Sequence, residues 1–137
     1  MKIKLDKGAY KPTRAHNTDA GLDLRCRETF VIWPGHHHTF DTGVHIELPK
    51  GYYGKIESKS GLNVKDSIVS CGGVIDEGYT GSIAVKLYNL GNHDKVFYQG
   101  DKIAQLVIMP YVAPKIEYVD ELGETERGDK GFGSTGR

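Results

Sequence analysis

The residues of this chain best suited to chemistry fall in short segments that contain glycine. Asp76 and Tyr79 lie three residues apart in Gly72-Gly-Val-Ile-Asp-Glu-Gly-Tyr-Thr-Gly81. Glycine on both sides lets backbone approach a ligand closely. Ser58-Lys59-Ser60-Gly61-Leu62 gathers a cation and hydroxyls at the opening of a predicted helical turn over Ser60 to Lys65. Free amides and the positive dipole end favour a phosphate there. Asp23 stands between Leu22 and Leu24, after the polar loop Lys11 to Asp19. Gln105 interrupts the apolar run that follows Gly100, and a buried amide without a partner costs about 1–3 kcal/mol, so it must meet one. Near the C-terminus Arg127 offers a planar fork, Phe132 a ring for a base to stack on, and Gly133, Ser134 and Thr135 a supple backbone with hydroxyls for phosphate oxygens. Phosphate donors beside a stacking ring point to a nucleotide. Taken singly, each feature also has a plainer reading: a turn cap for Asp23, an exposed β-turn for Gly72 to Gly81, a frayed terminus for the last segment.

Strands must position these groups, because period-2 alternation recurs and helical periodicity does not. Ile3 and Leu5, then Val44, Ile46 and Leu48, then Ile83, Val85 and Leu87 alternate with other residues as half-buried strands. Phe30 to Trp33 and Leu106 to Met109 are continuous apolar runs, suited to strands covered on both faces or at a subunit contact. Pro34-Gly35, Pro49-Lys-Gly51, Gly72-Gly73, Gly91-Asn92 and Gln99-Gly100 punctuate them as turns. Strands every 8–12 residues predict an all-β sandwich, jelly roll or barrel. Residues 1–118 form the expected core. Residues 119–137 form an expected mobile arm, since five glycines and a single large hydrophobe, Phe132, in Gly123 to Arg137 bury too little to offset ordering.

The composition excludes several classes. At 137 residues, with 38% hydrophobic and 26% charged, the chain fits one globular domain. Eighteen basic residues balance eighteen acidic ones, so the broad positive field of sequence-independent nucleic-acid binding is missing. No apolar stretch approaches the roughly 20 residues of a membrane span. Two cysteines, Cys26 and Cys71, and an N-terminus alternating charge with hydrophobe predict a reducing cytoplasm. The tract His36-His-His38 reads as a solvated turn, and Cys71 as a small buried residue near the Gly72 segment.

Five segments in order, AGLDL at 20–24, SKSGL at 58–62, GVIDEGYTG at 73–81, GDKIAQL at 100–106 and RGDKGFGSTG at 127–136, resemble the five motifs of homotrimeric dUTP diphosphatases, the dUTPases. Five motifs at matching spacings over nearly the whole chain make the resemblance specific. It implies a jelly-roll subunit, three of which share three active sites. Each site would combine the first, second and fourth motifs of one subunit with the third motif of another and the arm of the last. The implied reaction is hydrolysis of dUTP to dUMP and pyrophosphate, which limits uracil incorporation into DNA and supplies dUMP for dTMP synthesis. By resemblance, Asp76 activates the water that attacks the α-phosphorus in line, and Gln105 steadies the α-phosphate and that water. Asp23 reaches Mg2+ through the metal's own waters, the ion being held mainly by substrate phosphates. Lys59, Ser60 and Gly61 contact phosphates; Gly73, Val74 and Ile75 read the uracil edge; Tyr79 packs on the sugar and excludes a ribose hydroxyl. Phe132 stacks on uracil while Arg127, Gly133, Ser134 and Thr135 close over the γ-phosphate.

The sequence departs from the family pattern at three positions. Lys59 and Lys102 stand where arginine is common, keeping the charge without the planar fork, and Lys130 stands where glycine is common. Two other activities remain to be separated. A dCTP deaminase of the same fold needs a glutamate on the strand after the third motif, where this chain has Lys86. A dUTP-gated regulatory binding protein would use the same pocket without needing Asp76, Asp23 and Gln105; nothing in the sequence supports a regulatory protein partner.

Overall fold

The computed structural model describes residues 1–71 and 73–131. Eleven strands and one short helix follow one another along them: β1 (Lys2–Leu5), β2 (Gly21–Arg25), β3 (Phe30–Ile32), β4 (His37–Asp41), β5 (Val44–Glu47), β6 (Tyr52–Glu57), α1 (Ser60–Asp66), β7 (Ile68–Ser70), β8 (Val74–Ile75), β9 (Ala84–Asn89), β10 (Lys95–Phe97) and β11 (Lys102–Pro110). They pair into a four-stranded sheet ordered β2-β11-β6-β8, a three-stranded sheet β4-β9-β7, and the ribbons β1-β5 and β10-β3, with every pairing antiparallel. This is the all-β, jelly-roll type of architecture expected from the alternation. No described helix is long and apolar enough to cross a membrane.

The inward faces of the sheets form one core. Phe40, Phe97, Ile83, Ile103 and Leu106 are fully buried there, as are Val44, Ile46, Val85 and Leu87. The two central alternating runs therefore bury their apolar members as predicted. In β1, which pairs only with β5, Leu5 packs half-buried against the core while Ile3 stays exposed. Trp33, expected to be covered, lies one residue past β3 and is 53% exposed within the single chain.

Two local readings are corrected. His37 and His38 belong to β4 rather than to a loop, and the ring of His38 stacks on Phe30 at 3.6 Å with 13° between planes while a ring nitrogen meets Glu28 at 2.9 Å. Ring stacking and an acidic partner recruit the histidine into the sheet. Cys71 is exposed although its amide still donates to the Lys86 carbonyl of β9 at 3.2 Å; Cys26 is the buried thiol, donating to the Tyr98 carbonyl at 3.0 Å.

The four-stranded sheet carries the chemistry. Residues directly opposite one another in a sheet share a face. Leu22, Leu106 and Ile56 form one cross-strand row, turned into the core. The next row, Asp23, Gln105 and Glu57, therefore faces the other way. Short β8 is held at the edge by pairing with Gly54 and Lys55, and the Gly73 carbonyl extends the ladder by accepting from Ile56 N at 2.8 Å. Gly73 has φ +112°, and a Cβ there would lie 2.5 Å from that of Ile56. Only glycine fits this approach.

Candidate active site

Asp23 is the buried charge of the site. Its neighbours Leu22 and Leu24 point into the core, so alternation sends its carboxylate to the outer face of β2, where it remains only 6% exposed. Lys59 binds one carboxylate oxygen at 2.5 Å and Lys102 the other at 2.6 Å. Burial alone would push this carboxyl up, yet the hydrogen bonds and charges of Lys102 and Lys59 outweigh it and hold it below the ordinary carboxylate range. The first, second and fourth motifs thus meet at one carboxylate. Both lysines that stand in place of the family's arginines are committed to Asp23.

Gln105 finds its partner in the second motif, donating through Nε2 to the Ser58 carbonyl at 3.2 Å. Ser58 is itself pinned, its hydroxyl accepting from Ser70 N at 2.8 Å and lying 3.1 Å from the Ser70 hydroxyl. The other side of the Gln105 amide rests against Gly21, where a Cβ would stand 2.4 Å from Oε1. Gly21 therefore clears the space in which Gln105 lies. Its absence from the predicted site reflects that the constraint comes from packing, not from chemistry.

Ser60 and Gly61 open α1 as predicted. The preceding residue, Lys59, is extended, and no side chain caps the helix; the first turn carries no acid. The first amides of α1 are accordingly left for other acceptors. Ser67 closes the helix in the left-handed conformation, φ 55°, with its amide donating back to Asn63 at 3.0 Å.

The third motif stands apart from this cluster within the chain. Beyond β8, the Tyr79 amide donates to the Asp76 carbonyl at 3.0 Å, closing a four-residue turn. The segment does not fold back into a hairpin. It crosses to the three-stranded sheet, where β9 begins at Ala84. Ile75 is buried, whereas Val74, Asp76 and Tyr79 are exposed. Among the described residues, Asp76 and Tyr79 make no hydrogen bond or ion pair with Asp23, Lys59, Lys102 or Gln105. A pocket of about 470 Å3 is lined by Tyr53, Val74, Asp76, Glu77, Gly78 and Tyr111.

Tyr79 is aimed by residues the sequence reading did not single out. Its hydroxyl donates to the Ser82 carbonyl at 3.0 Å, and the Ser82 hydroxyl donates to Asp41. Asp41 is held below the usual carboxylate range by that hydroxyl, with help from the Gly43 amide and Arg27. The ring lies against Gly81, where a Cβ would meet Oη at 2.5 Å. The proximity of Ser82 and Gly81 in sequence was the available signal; the pairing with Asp41 was not.

The fifth motif falls only partly within the described residues. Arg127 is exposed, its Nε donating to the Lys130 carbonyl at 3.1 Å. Phe132, Gly133, Ser134 and Thr135 lie outside the described residues. A direct metal chelate does not fit the cluster, since both oxygens of Asp23 already hold ammonium groups and Glu57 is paired with Lys55. Outer contact through water with an ion carried by phosphates does fit these hard oxygen donors.

Comparison with known proteins places the chain among relatives. The family model for dUTPase matches residues 8–136. A deoxyuridine 5'-triphosphate nucleotidohydrolase of Corynebacterium glutamicum is 44% identical, over 98% of this chain and 93% of its own. One from Clostridium novyi is 44% identical over 99% of both chains. Among solved structures, the Staphylococcus bacteriophage 80alpha dUTPase with dUPNHPP superposes at a TM-score of 0.92 with 33% identity, covering 99% of this chain and 98% of that one. A mutant dUTPase from phage phi11 of S. aureus, described with a structural Mg(II) ion, superposes at 0.82 with 30% identity over 88% of this chain and 96% of its own. With the match running from the first strand-connecting loop to the C-terminal motif, and with the motifs' own contacts holding the site together, the chain belongs to the dUTPase family.

Proposed function

We propose that this protein is a dUTP diphosphatase, cleaving dUTP to dUMP and pyrophosphate. One observation carries the reading of the site: three separate motifs converge on the outer face of one sheet through Asp23, Lys59, Lys102, Gln105 and Ser58, while the third motif projects from the edge of that same sheet. Relatives bearing the nucleotidohydrolase name over nearly full length, and a neighbour holding dUPNHPP, support the substrate.

In this reading Asp76 accepts a proton from the water that attacks the α-phosphorus, and Gln105 orients that water and the α-phosphate. The amides at Ser60 and Gly61, with Lys59, attract the phosphate chain. The backbone of Gly73, Val74 and Ile75 reads uracil, and the Tyr79 ring, braced on Gly81, leaves no room for a 2′-hydroxyl. Mg2+ supplies charge neutralisation on the phosphates when bound, and Asp23 is the residue that would reach its waters. Among the described residues Asp76 shares no hydrogen bond or ion pair with the Asp23 cluster, which supports a homotrimer whose sites are completed by neighbouring subunits. The C-terminal segment, with Arg127, Phe132, Gly133, Ser134 and Thr135, would close a site and exclude water.

Pyrophosphate release from dUTP, with dCTP, dTTP and UTP as controls, tests the activity. Asp76→Asn is expected to lower turnover by about 10²–10⁴-fold while a non-hydrolysable dUTP analogue still binds. Undiminished turnover in that variant would remove Asp76 from the mechanism. Ammonia release from dCTP would instead identify a deaminase.

A further inference from the structure

We propose that Glu77 and Tyr111 act as positioning residues for Asp76, forming a clasp that fixes the turn from which the water-activating carboxylate projects. The proposal rests on the reading of Asp76 given above and deepens it.

Glu77 is the first of the two central residues in the turn closed between Asp76 and Tyr79. One of its carboxylate oxygens, Oε2, accepts from the Gly51 amide at 2.7 Å and from the Tyr111 hydroxyl at 2.8 Å. The two donors are tied together without Glu77, because the Tyr111 amide donates to the Gly51 carbonyl at 3.0 Å. They form a prepared receptor for the carboxylate. Each donor is anchored in turn. Gly51 sits at φ +80° in the bend where Tyr52 N donates to the Pro49 carbonyl, and the Tyr111 ring meets Tyr53 edge-on with centroids 6.5 Å apart. Charge agrees with geometry: the Gly51 amide, then the Tyr111 hydroxyl, hold the Glu77 carboxyl below its ordinary range, and Glu77 raises the Tyr111 hydroxyl.

The need for such a clasp follows from Asp76 itself. Among the described residues no side chain bonds the Asp76 carboxylate, so the placement of the backbone that carries it is the part of its position the fold can fix. A four-residue turn closed by one hydrogen bond is free to tilt on its two ends. Glu77 removes that freedom by locking the turn to the β5–β6 bend and to the first residue after β11. A water-activating group misplaced by an ångström loses much of its effect.

The test compares the full-length protein with Glu77→Ala, Glu77→Gln, Tyr111→Phe, the Glu77→Ala/Tyr111→Phe double variant and Asp76→Asn, measuring kcat and KM for dUTP and the melting temperature. We expect Glu77→Ala to lower kcat about tenfold and Tyr111→Phe about fivefold, with KM changed about twofold or less. Glu77→Gln, which keeps an acceptor oxygen, should recover part of the loss, and the double variant should be no worse than Glu77→Ala. An unchanged kcat in Glu77→Ala and Tyr111→Phe, while Asp76→Asn is inactive, overturns the clasp alone. So does a lowered melting temperature with kcat intact, or additive losses in the double variant. Full turnover in Asp76→Asn overturns the underlying reading and the clasp with it.

Discussion

Asp23 is where an ionised carboxylate would be costly to bury, and two ammonium groups make it tolerable. Because its folded-state carboxyl is depressed, its contribution to stability is fully present above the unfolded value and drains as pH falls through the folded one. Wild-type urea midpoints should therefore hold above about pH 5 and decline as the pH falls below about 4, where an unfolded aspartate takes up its proton. Asp23→Asn should be less stable at neutral pH and show a shallower acid decline. A parallel decline in both proteins would assign the acid sensitivity elsewhere. Gly21 makes a second prediction at this scale. Gly21→Ala places a methyl against the Gln105 amide oxygen, 2.4 Å away before relaxation, so Gln105 must leave Ser58. Turnover should fall about tenfold or more, with secondary structure by circular dichroism unchanged.

At the scale of elements, the proposed reading gives substrate choice to the edge strand β8 and the turn after it. Tyr79 can lie flat only because residue 81 lacks a Cβ, so Gly81→Ala should swing the ring outward. The ratio of kcat/KM for dUTP over UTP is expected to drop about tenfold, and an unchanged ratio would detach Tyr79 from sugar selection. The elements were unequally legible from sequence. Val44 to Leu48 and Ile83 to Leu87 alternate and bury their apolar members, and Ser60 to Lys65 announced α1. Lys95–Phe97 and Ile68–Ser70 are three-residue strands whose pattern is too short to read. The motif residues stood out because glycine and charge in an apolar setting demand a reason. What holds them did not stand out. Lys59 meets Asp23 across 36 residues and Tyr111 meets Glu77 across 34, distances over which only the assembled sheet dictates who pairs with whom. The glycines and turn residues of the third motif announce a turn but not its destination: the chain after it joins a different sheet, which local residues do not encode.

For the molecule as a whole, the last strand ends at Pro110, and every described residue from Tyr111 to Gly131 is exposed in the single chain, including Val112, Ile116 and Leu122. Removing the residues after Glu126 should leave the melting temperature within a few degrees and lower dUTP turnover at least about tenfold. Sedimentation equilibrium of the intact protein should give three times the 15.1 kDa chain mass. A monomer with full activity would refute the shared site. The two thiols differ sharply. Burial pushes the Cys26 thiol up, and its hydrogen is spent on a carbonyl, while Cys71 stands open two residues before Gly73. A maleimide dye should attach once per chain, at Cys71, and thereby report by its fluorescence on pyrimidine docking without any engineered handle.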